Sequence, residues 1–203
     1  MFRSFKWDPK QFAQLKPLTA INYIVIHHTE SHDVPIETVD QWHRTRSFAG
    51  VGYHYLIRAN GDIEQGRPEN KMGAQVLNHN HESLGVCLTG KFMETQPTSA
   101  QMDSLVELVS DLMSKYPKAK LVRHKDLAAT NCPGDKFPWD RLNSLLADKA
   151  FRKREEGVKP ALDWKNQMVQ DALNLGWLKE SKDPDAAPTW AQLIAFAKNV
   201  IGG

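Results

Sequence analysis

A histidine and a cysteine lie close together in the segment 121–135, and their residue types suit metal binding. His124 follows a short apolar run and Cys132 precedes a Pro-Gly pair, so both are expected on a loop leaving the end of a buried strand. Imidazole plus thiolate is a zinc-type ligand pair. A catalytic zinc needs a third protein ligand and one open position.

The best candidates for the third ligand are His27 and His28, at the end of an apolar strand over residues 22–26. Two strand ends that each present a ligand can converge side by side in one sheet. Adjacent strand residues point to opposite faces, so only one of the two histidines can face a given site. Spacing alone does not decide which. Taken singly, each of these residues is more readily explained as an ordinary core or surface residue. Taken together, they favour a zinc site.

Further strands are expected on both sides of a hairpin and near the ligand loop. Asn60-Gly61 between two runs of strand formers is a strong hairpin signal. Residues 66–83 form a long polar loop, which in a compact domain is usually functional or disordered. The expected strands cover residues 53–58, 62–65, 83–89 and 120–123.

Helix signals flank these strands. Asp33 and Pro35 resemble a helix start, with the aspartate as N-cap. Thr98 and Gln101 form a capping-box pattern ahead of a periodic apolar stripe that reaches residue 116. A last helix is expected over 139–149. Residues 1–20 are predicted to form an irregular arm.

The composition changes after this region, which predicts a second, smaller module. We expect a catalytic domain over residues 1–150, a charged linker over 151–160 and a small helical module over 161–203. The module has two apolar helical stripes and is too small to be comfortably stable without docking. A docking or dimerising element is one interpretation of this module.

Charge and hydropathy exclude some function classes. The formal net charge of +2 is too weak to argue for nucleic acid, and no segment approaches the length of a membrane span. The first residues lack the apolar core of a secretory signal, so synthesis in the cytoplasm is expected. Cys87 sits in an apolar run, where a buried thiol is the favoured interpretation, with a Cys87–Cys132 disulfide as the alternative.

Several motifs in the right order resemble one family, the type 2 N-acetylmuramoyl-L-alanine amidases. They span roughly residues 20–150 and are Val25-Ile26-His27-His28-Thr29, Gly52-Tyr53-His54-Tyr55, Asn80 with Ser83-Leu84-Gly85-Val86, and His124 with Cys132-Pro133. The family includes phage lysins and the related peptidoglycan recognition proteins. The resemblance implies an α/β fold, with a mixed central β-sheet flanked by helices. The C-terminal module loosely resembles the small wall-anchoring modules of phage lysins, which implies cell-wall binding as the other interpretation of that module.

The resemblance also implies the site. It assigns Zn²⁺ to His27, His124 and Cys132, and it places Tyr53 and Thr130 as catalytic residues beside the metal. Threonine at position 130 matches the catalytic recognition proteins, whereas some phage enzymes carry lysine at this position. Many relatives carry histidine in place of Gln75, from which we expect altered substrate contacts.

The implied substrate is the amide between the lactyl group of N-acetylmuramic acid and L-alanine in bacterial peptidoglycan. Trp42, Asn78, Asn80 and His28 are predicted substrate contacts, with His79 beside them. Trp42 is equally consistent with a core position. We expect a monomeric endolysin that reaches the wall after holin-type release. The alternatives are a non-catalytic peptidoglycan recognition module and a zinc-stabilised interaction protein, since some phage relatives bind a polymerase.

Overall fold

The computed structural model describes residues 1–157, with side chains described through residue 153. The chain divides into two compact units, Met1–Lys149 and Ala150–Gly203. In chain order the elements are β1 (Phe2–Ser4), α1 (Pro9–Ala13), β2 (Tyr23–His28), α2 (Ile36–Thr45), β3 (Tyr55–Ile57), β4 (Ile63–Gln65), β5 (Ser83–Leu88), α3 (Ser99–Lys115), β6 (Lys120–Arg123) and α4 (Trp139–Gly157). Short 3₁₀ turns occupy Asn80–Glu82 and His124–Asp126.

Within residues 1–157 the strands form one six-stranded sheet in the order β1-β4-β3-β5-β2-β6. All neighbouring pairs are parallel except the β3–β4 hairpin. The sheet is therefore mixed and flanked by helices, which confirms the predicted fold class. Strand β2 lies between β5 and β6. Because β2 and β6 pair in parallel, their carboxyl ends lie at the same edge of the sheet.

The sheet separates two apolar clusters. On one face, Ile24 and Ile26 of β2 pack with β5 residues and with the apolar stripe of α3 and part of α4. On the other face, Leu56 and Cys87 pack with residues of α2. Because side chains alternate along a strand, consecutive residues of β5 belong to different clusters, with Val86 and Leu88 in the first and Cys87 in the second. The α2 face is the one that carries the candidate site.

Two local predictions were wrong. Residues 2–4, predicted to lie in an irregular arm, form β1 and pair with β4. Asp33 does not cap α2: Pro35 holds the N-cap position, and Asp33 instead accepts hydrogen bonds from the Arg58 guanidinium at 2.7 and 2.9 Å and from Thr89 Oγ1 at 2.6 Å. A charged partner from the β3–β4 hairpin outcompeted the local capping role.

The hairpin and the capping box are confirmed, and the predicted end of the last helix is wrong. The Asn60-Gly61 hairpin is present, with Gly61 at φ +86°, and Thr98 and Gln101 form the capping box of α3. Helix α4 extends past its predicted end at residue 149 to Gly157, through the start of the predicted charged linker. Its Arg, Lys and Glu residues are good helix formers.

The predicted module at 161–203 lies outside the described residues, and the proposal that it binds the wall or docks stays a prediction. Within residues 1–157, every helix is too short or too polar to cross a membrane.

Candidate metal centre and active site

His27, His124 and Cys132 come together at the edge where β2 and β6 end. One ligand atom from each lies within 4.8 Å of the others. The Cys132 sulfur is 3.7 Å from His27 Nδ1, and the two imidazole rings have centroids 4.5 Å apart. Two neutral nitrogens and a sulfur are a donor set that suits a tetrahedral ion such as zinc, with a fourth position left open.

Backbone hydrogen bonds fix this convergence. His27 belongs to β2, and His124 directly follows β6, its parallel neighbour. The Lys125 amide donates to the Cys132 carbonyl at 2.9 Å, which closes the loop that runs from His124 to Cys132. The His28 amide donates to the Cys132 sulfur at 3.4 Å and connects that loop to β2.

His28 itself points to the opposite face. Its Nδ1 accepts from the Phe92 amide at 3.1 Å, so Nε2 carries the proton and faces Glu30 Oε2 at 2.7 Å. The side chain is buried beside the Phe92 ring. This placement separates the two histidines as strand alternation requires, and it gives no support to His28 as a substrate contact.

The electrostatic setting prepares the three residues for a cation. Burial lowers the pKa of His27 well below its usual value and also lowers the pKa of His124, so both imidazoles are neutral at pH 7. Burial raises the pKa of the Cys132 thiol to about 12. The thiol therefore needs a cation to give up its proton, and metal binding is the event that would supply one.

Tyr53 lies beside the candidate metal centre, with its ring centroid 5.2 Å from that of His27. Helix α2 holds the preceding loop from below. Asp40 accepts from the Val51 amide at 2.8 Å, and His43 Nδ1 accepts from the Gly52 amide at 2.7 Å. A Cβ at Gly52 would stand 2.1 Å from the Ala74 carbonyl oxygen, so glycine is required for this close approach.

Family and structural comparisons agree with this geometry. The family model for N-acetylmuramoyl-L-alanine amidase matches residues 16–135, more than half of the chain. The chain belongs to the N-acetylmuramoyl-L-alanine amidase family. It is 36% identical over 143 residues to the endolysin of Enterobacteria phage T3, covering 66% of this chain and 94% of that protein. The endolysin of Escherichia phage T7 is likewise 36% identical, with 67% and 94% covered.

Solved structures extend the likeness to the fold. The N-acetylmuramoyl-L-alanine amidase LysC from Clostridium intestinale URNW superposes with a TM-score of 0.69 at 35% identity, covering 72% of this chain and 97% of that one. Drosophila peptidoglycan recognition protein SD gives a TM-score of 0.57 at 26% identity, covering 61% and 80%. Family and relatives together support amidase activity for this chain.

The Tyr53 hydroxyl keeps its proton in the amidase. Burial raises its pKa well above the usual value, and the nearby thiols of Cys87 and Cys132 act in the same direction. Tyr53 is therefore a hydrogen-bond donor at neutral pH. Both cysteines of the chain are free thiols, so the alternative of a Cys87–Cys132 disulfide is wrong. Cys87 is fully buried beneath the site.

Gln75 is a site residue whose role the sequence did not reveal. The expectation of altered substrate contacts at Gln75 stays a prediction, and the structure adds a contact with His27 that the sequence did not indicate. Its Oε1 lies 2.5 Å from His27 Nε2, behind the ligand nitrogen, and its Nε2 donates to Ser83 Oγ at 2.7 Å. In the sequence, glutamine at position 75 stands where many relatives carry histidine, and no local pattern indicates this contact.

The remaining predicted residues have mixed placements. Thr130 is exposed, and its Oγ1 accepts from the Cys132 amide at 3.3 Å, beside the ligand sulfur. Asn80 uses its Oδ1 to accept from the Gln75 and Val76 amides at 2.7 and 2.9 Å, which shapes the loop. Trp42 packs partly buried against the α2 cluster, and Asn78 is exposed at φ +68°. The catalytic role of Thr130 stays a prediction, and so do the substrate contacts of Trp42, Asn78 and Asn80.

Two buried histidines beside the site predict a loss of stability in acid. Burial lowers the pKa of His43 and that of His54 to about 4 in each case, against a usual value of 6.5. The unfolded chain binds these protons and the fold excludes them, so stability is full above about pH 6.5 and is lost as the pH falls toward 4. Between pH 7 and pH 5 we expect a loss of about 2 kcal/mol per histidine in the free energy of unfolding.

Urea unfolding of the metal-free full chain at the two pH values measures this loss. His54→Asn cannot take up a proton and should reduce the pH dependence, while lowering stability at pH 7. A free energy of unfolding that is equal at pH 7 and pH 5 would contradict the prediction.

Proposed function

We propose that the chain is a zinc-dependent N-acetylmuramoyl-L-alanine amidase of the endolysin type, which cleaves the amide between the lactyl group of N-acetylmuramic acid and L-alanine in peptidoglycan. The observation that carries this proposal is the convergence of His27, His124 and Cys132 within 4.8 Å, inside the segment that matches the family. When bound, zinc would act there as a Lewis acid toward the scissile carbonyl.

The amidase's own residues supply the remaining steps. Negative charge develops on the carbonyl oxygen as the amide is attacked, and preorganised donors near that oxygen lower the barrier. Tyr53 offers a protonated hydroxyl, and the backbone just before it is held by hydrogen bonds from the Val51 and Gly52 amides to Asp40 and His43. Thr130 offers a second hydroxyl beside Cys132.

Thr130 provides a test of the second donor. Thr130→Val keeps the shape of the side chain but removes its hydroxyl, and we expect kcat to fall about tenfold, because an exposed donor contributes less than a buried one. Thr130→Ser should retain activity. Turnover of purified peptidoglycan measures both, and an unchanged kcat in the valine variant would remove Thr130 from the mechanism.

The decisive experiment compares zinc-loaded and chelated protein on purified peptidoglycan, with products identified by mass spectrometry. Stem peptides with free L-alanine amino termini, appearing only with zinc, are the expected result. Cleavage within glycan strands or peptide crosslinks would overturn the proposed substrate bond. Binding to walls without any cleavage would instead support a recognition module.

A further inference from the structure

We propose that Gln75 is a positioning residue that fixes the tautomer of His27, and that Ser83 and Gly85 form the seat that holds Gln75 in place. The inference rests on the proposed metal site, since it concerns which nitrogen of His27 is free to bind an ion. A metal-ligating histidine commonly donates its other ring N–H to a fixed acceptor. Here that acceptor is a neutral amide oxygen at 2.5 Å from His27 Nε2.

The direction of the hydrogen bonds follows from one backbone carbonyl. Ser83 Oγ lies 2.7 Å from the carbonyl oxygen of His79, and two oxygens at that distance need a proton between them. A carbonyl has no proton to give, so Ser83 must donate it. Ser83 has a single hydroxyl hydrogen, so its contact with Gln75, also at 2.7 Å, must be donated by the Gln75 amide nitrogen.

This orientation of Gln75 decides the state of His27. With its nitrogen toward Ser83, Gln75 presents its oxygen to His27, so His27 Nε2 must carry the hydrogen. The lone pair is then on Nδ1, the nitrogen that faces the Cys132 sulfur at 3.7 Å. A flipped amide would instead place the hydrogen on Nδ1 and block the metal position. The hydrogen bond that Ser83 donates to the His79 carbonyl therefore determines, through Gln75, which ring nitrogen of His27 is free to bind a metal ion.

Gly85 makes room for this arrangement. A Cβ at Gly85 would lie 2.8 Å from Cδ, 2.9 Å from Cγ and 3.0 Å from Oε1 of Gln75. The Gln75 side chain thus lies flat on β5, from Ser83 at its start toward His27, which is paired with Cys87. An alanine at 85 would displace the amide that His27 needs. Gln75, Ser83 and Gly85, which come from two separate segments, therefore act together to orient His27.

The test measures the tautomer directly and the zinc affinity separately, using the full chain. Two-bond ¹⁵N–¹H correlation spectra of the metal-free protein at pH 8 should show His27 protonated at Nε2. Gln75→Leu and Gly85→Ala should mix the tautomers and weaken zinc binding 10- to 100-fold in competition with a chromophoric chelator, the range typical for loss of an outer partner. Gln75→Glu keeps an acceptor and should rescue both readouts.

Gln65→Leu is the matched control, because Gln65 makes its side-chain contact with Ser4 at the far side of the sheet. This variant should have the same His27 tautomer and the same zinc affinity as the wild type. A wild-type His27 protonated at Nδ1, or a folded Gln75→Leu protein with unchanged tautomer and affinity, would overturn the inference. If the wild type cleaves peptidoglycan equally well with and without chelator, the proposed function fails instead, and the spectra still decide the role of Gln75.

Discussion

Replacing Cys132 with serine is expected to prevent tight zinc binding and to remove nearly all amidase activity. Of the three proposed ligand atoms, the Cys132 sulfur is the one that can carry negative charge, and a serine hydroxyl would stay protonated and neutral beside His27 and His124. The metal contributes several kcal/mol of charge stabilisation to the reaction, so turnover should fall by about three orders of magnitude. Zinc competition and release of stem peptides from purified peptidoglycan measure the two effects.

Cys87→Ser is the matched control for zinc binding. It makes the same chemical change at the other cysteine, which is fully buried and lies outside the group of ligand atoms. Its zinc affinity should equal that of the wild type. If Cys132→Ser retained one tightly bound zinc and full activity, the proposed ligand set would be wrong.

Replacing Tyr53 with phenylalanine is the second large expected effect. The ring would still pack beside His27. The substitution removes only the hydroxyl, whose raised pKa keeps it protonated and able to donate a hydrogen bond. Loss of one preorganised donor costs about two to three orders of magnitude in kcat. Zinc affinity should not change, because Tyr53 is not one of the ligands. Steady-state kinetics with zinc stoichiometry on the same sample measure both.

Tyr55→Phe provides the control for this substitution. Tyr55 lies two residues further along the chain but points to the opposite face of the sheet, where its hydroxyl donates to Glu69 Oε1 at 2.5 Å. The variant should lose stability and keep its kcat. Equal kcat values for Tyr53→Phe and the wild type would exclude the hydroxyl from the rate-determining step.

The sequence could predict the convergence of the candidate ligands because that depends on local signals. Apolar runs ending in His27 and His124 predict two strand ends, and parallel strands bring such ends to one edge. Strand alternation then separates His27 from His28, although the periodicity does not say which one faces the site. The family resemblance supplied that assignment.

What the sequence could not predict depends on contacts between distant segments. Gln75 reaches His27 across Gly85, which pairs with Val25 in the register of β5 and β2 and leaves room for the glutamine side chain, and no window around residue 75 contains that information. Asp33 was misassigned for the same reason, since Arg58 and Thr89 reach it from other segments. Local propensity is a weak prior when a charged partner arrives through tertiary structure.

The hydrogen bond from the His28 amide to the Cys132 sulfur has a consequence for mutational scanning. Every side-chain substitution except proline preserves that amide, so an alanine at position 28 would report on the contacts with Phe92 and Glu30 and leave the sulfur contact intact. Scans of the amidase would therefore record position 28 as a stability position. The main-chain contribution of β2 to the sulfur ligand becomes measurable when the peptide nitrogen itself is replaced by an ester oxygen.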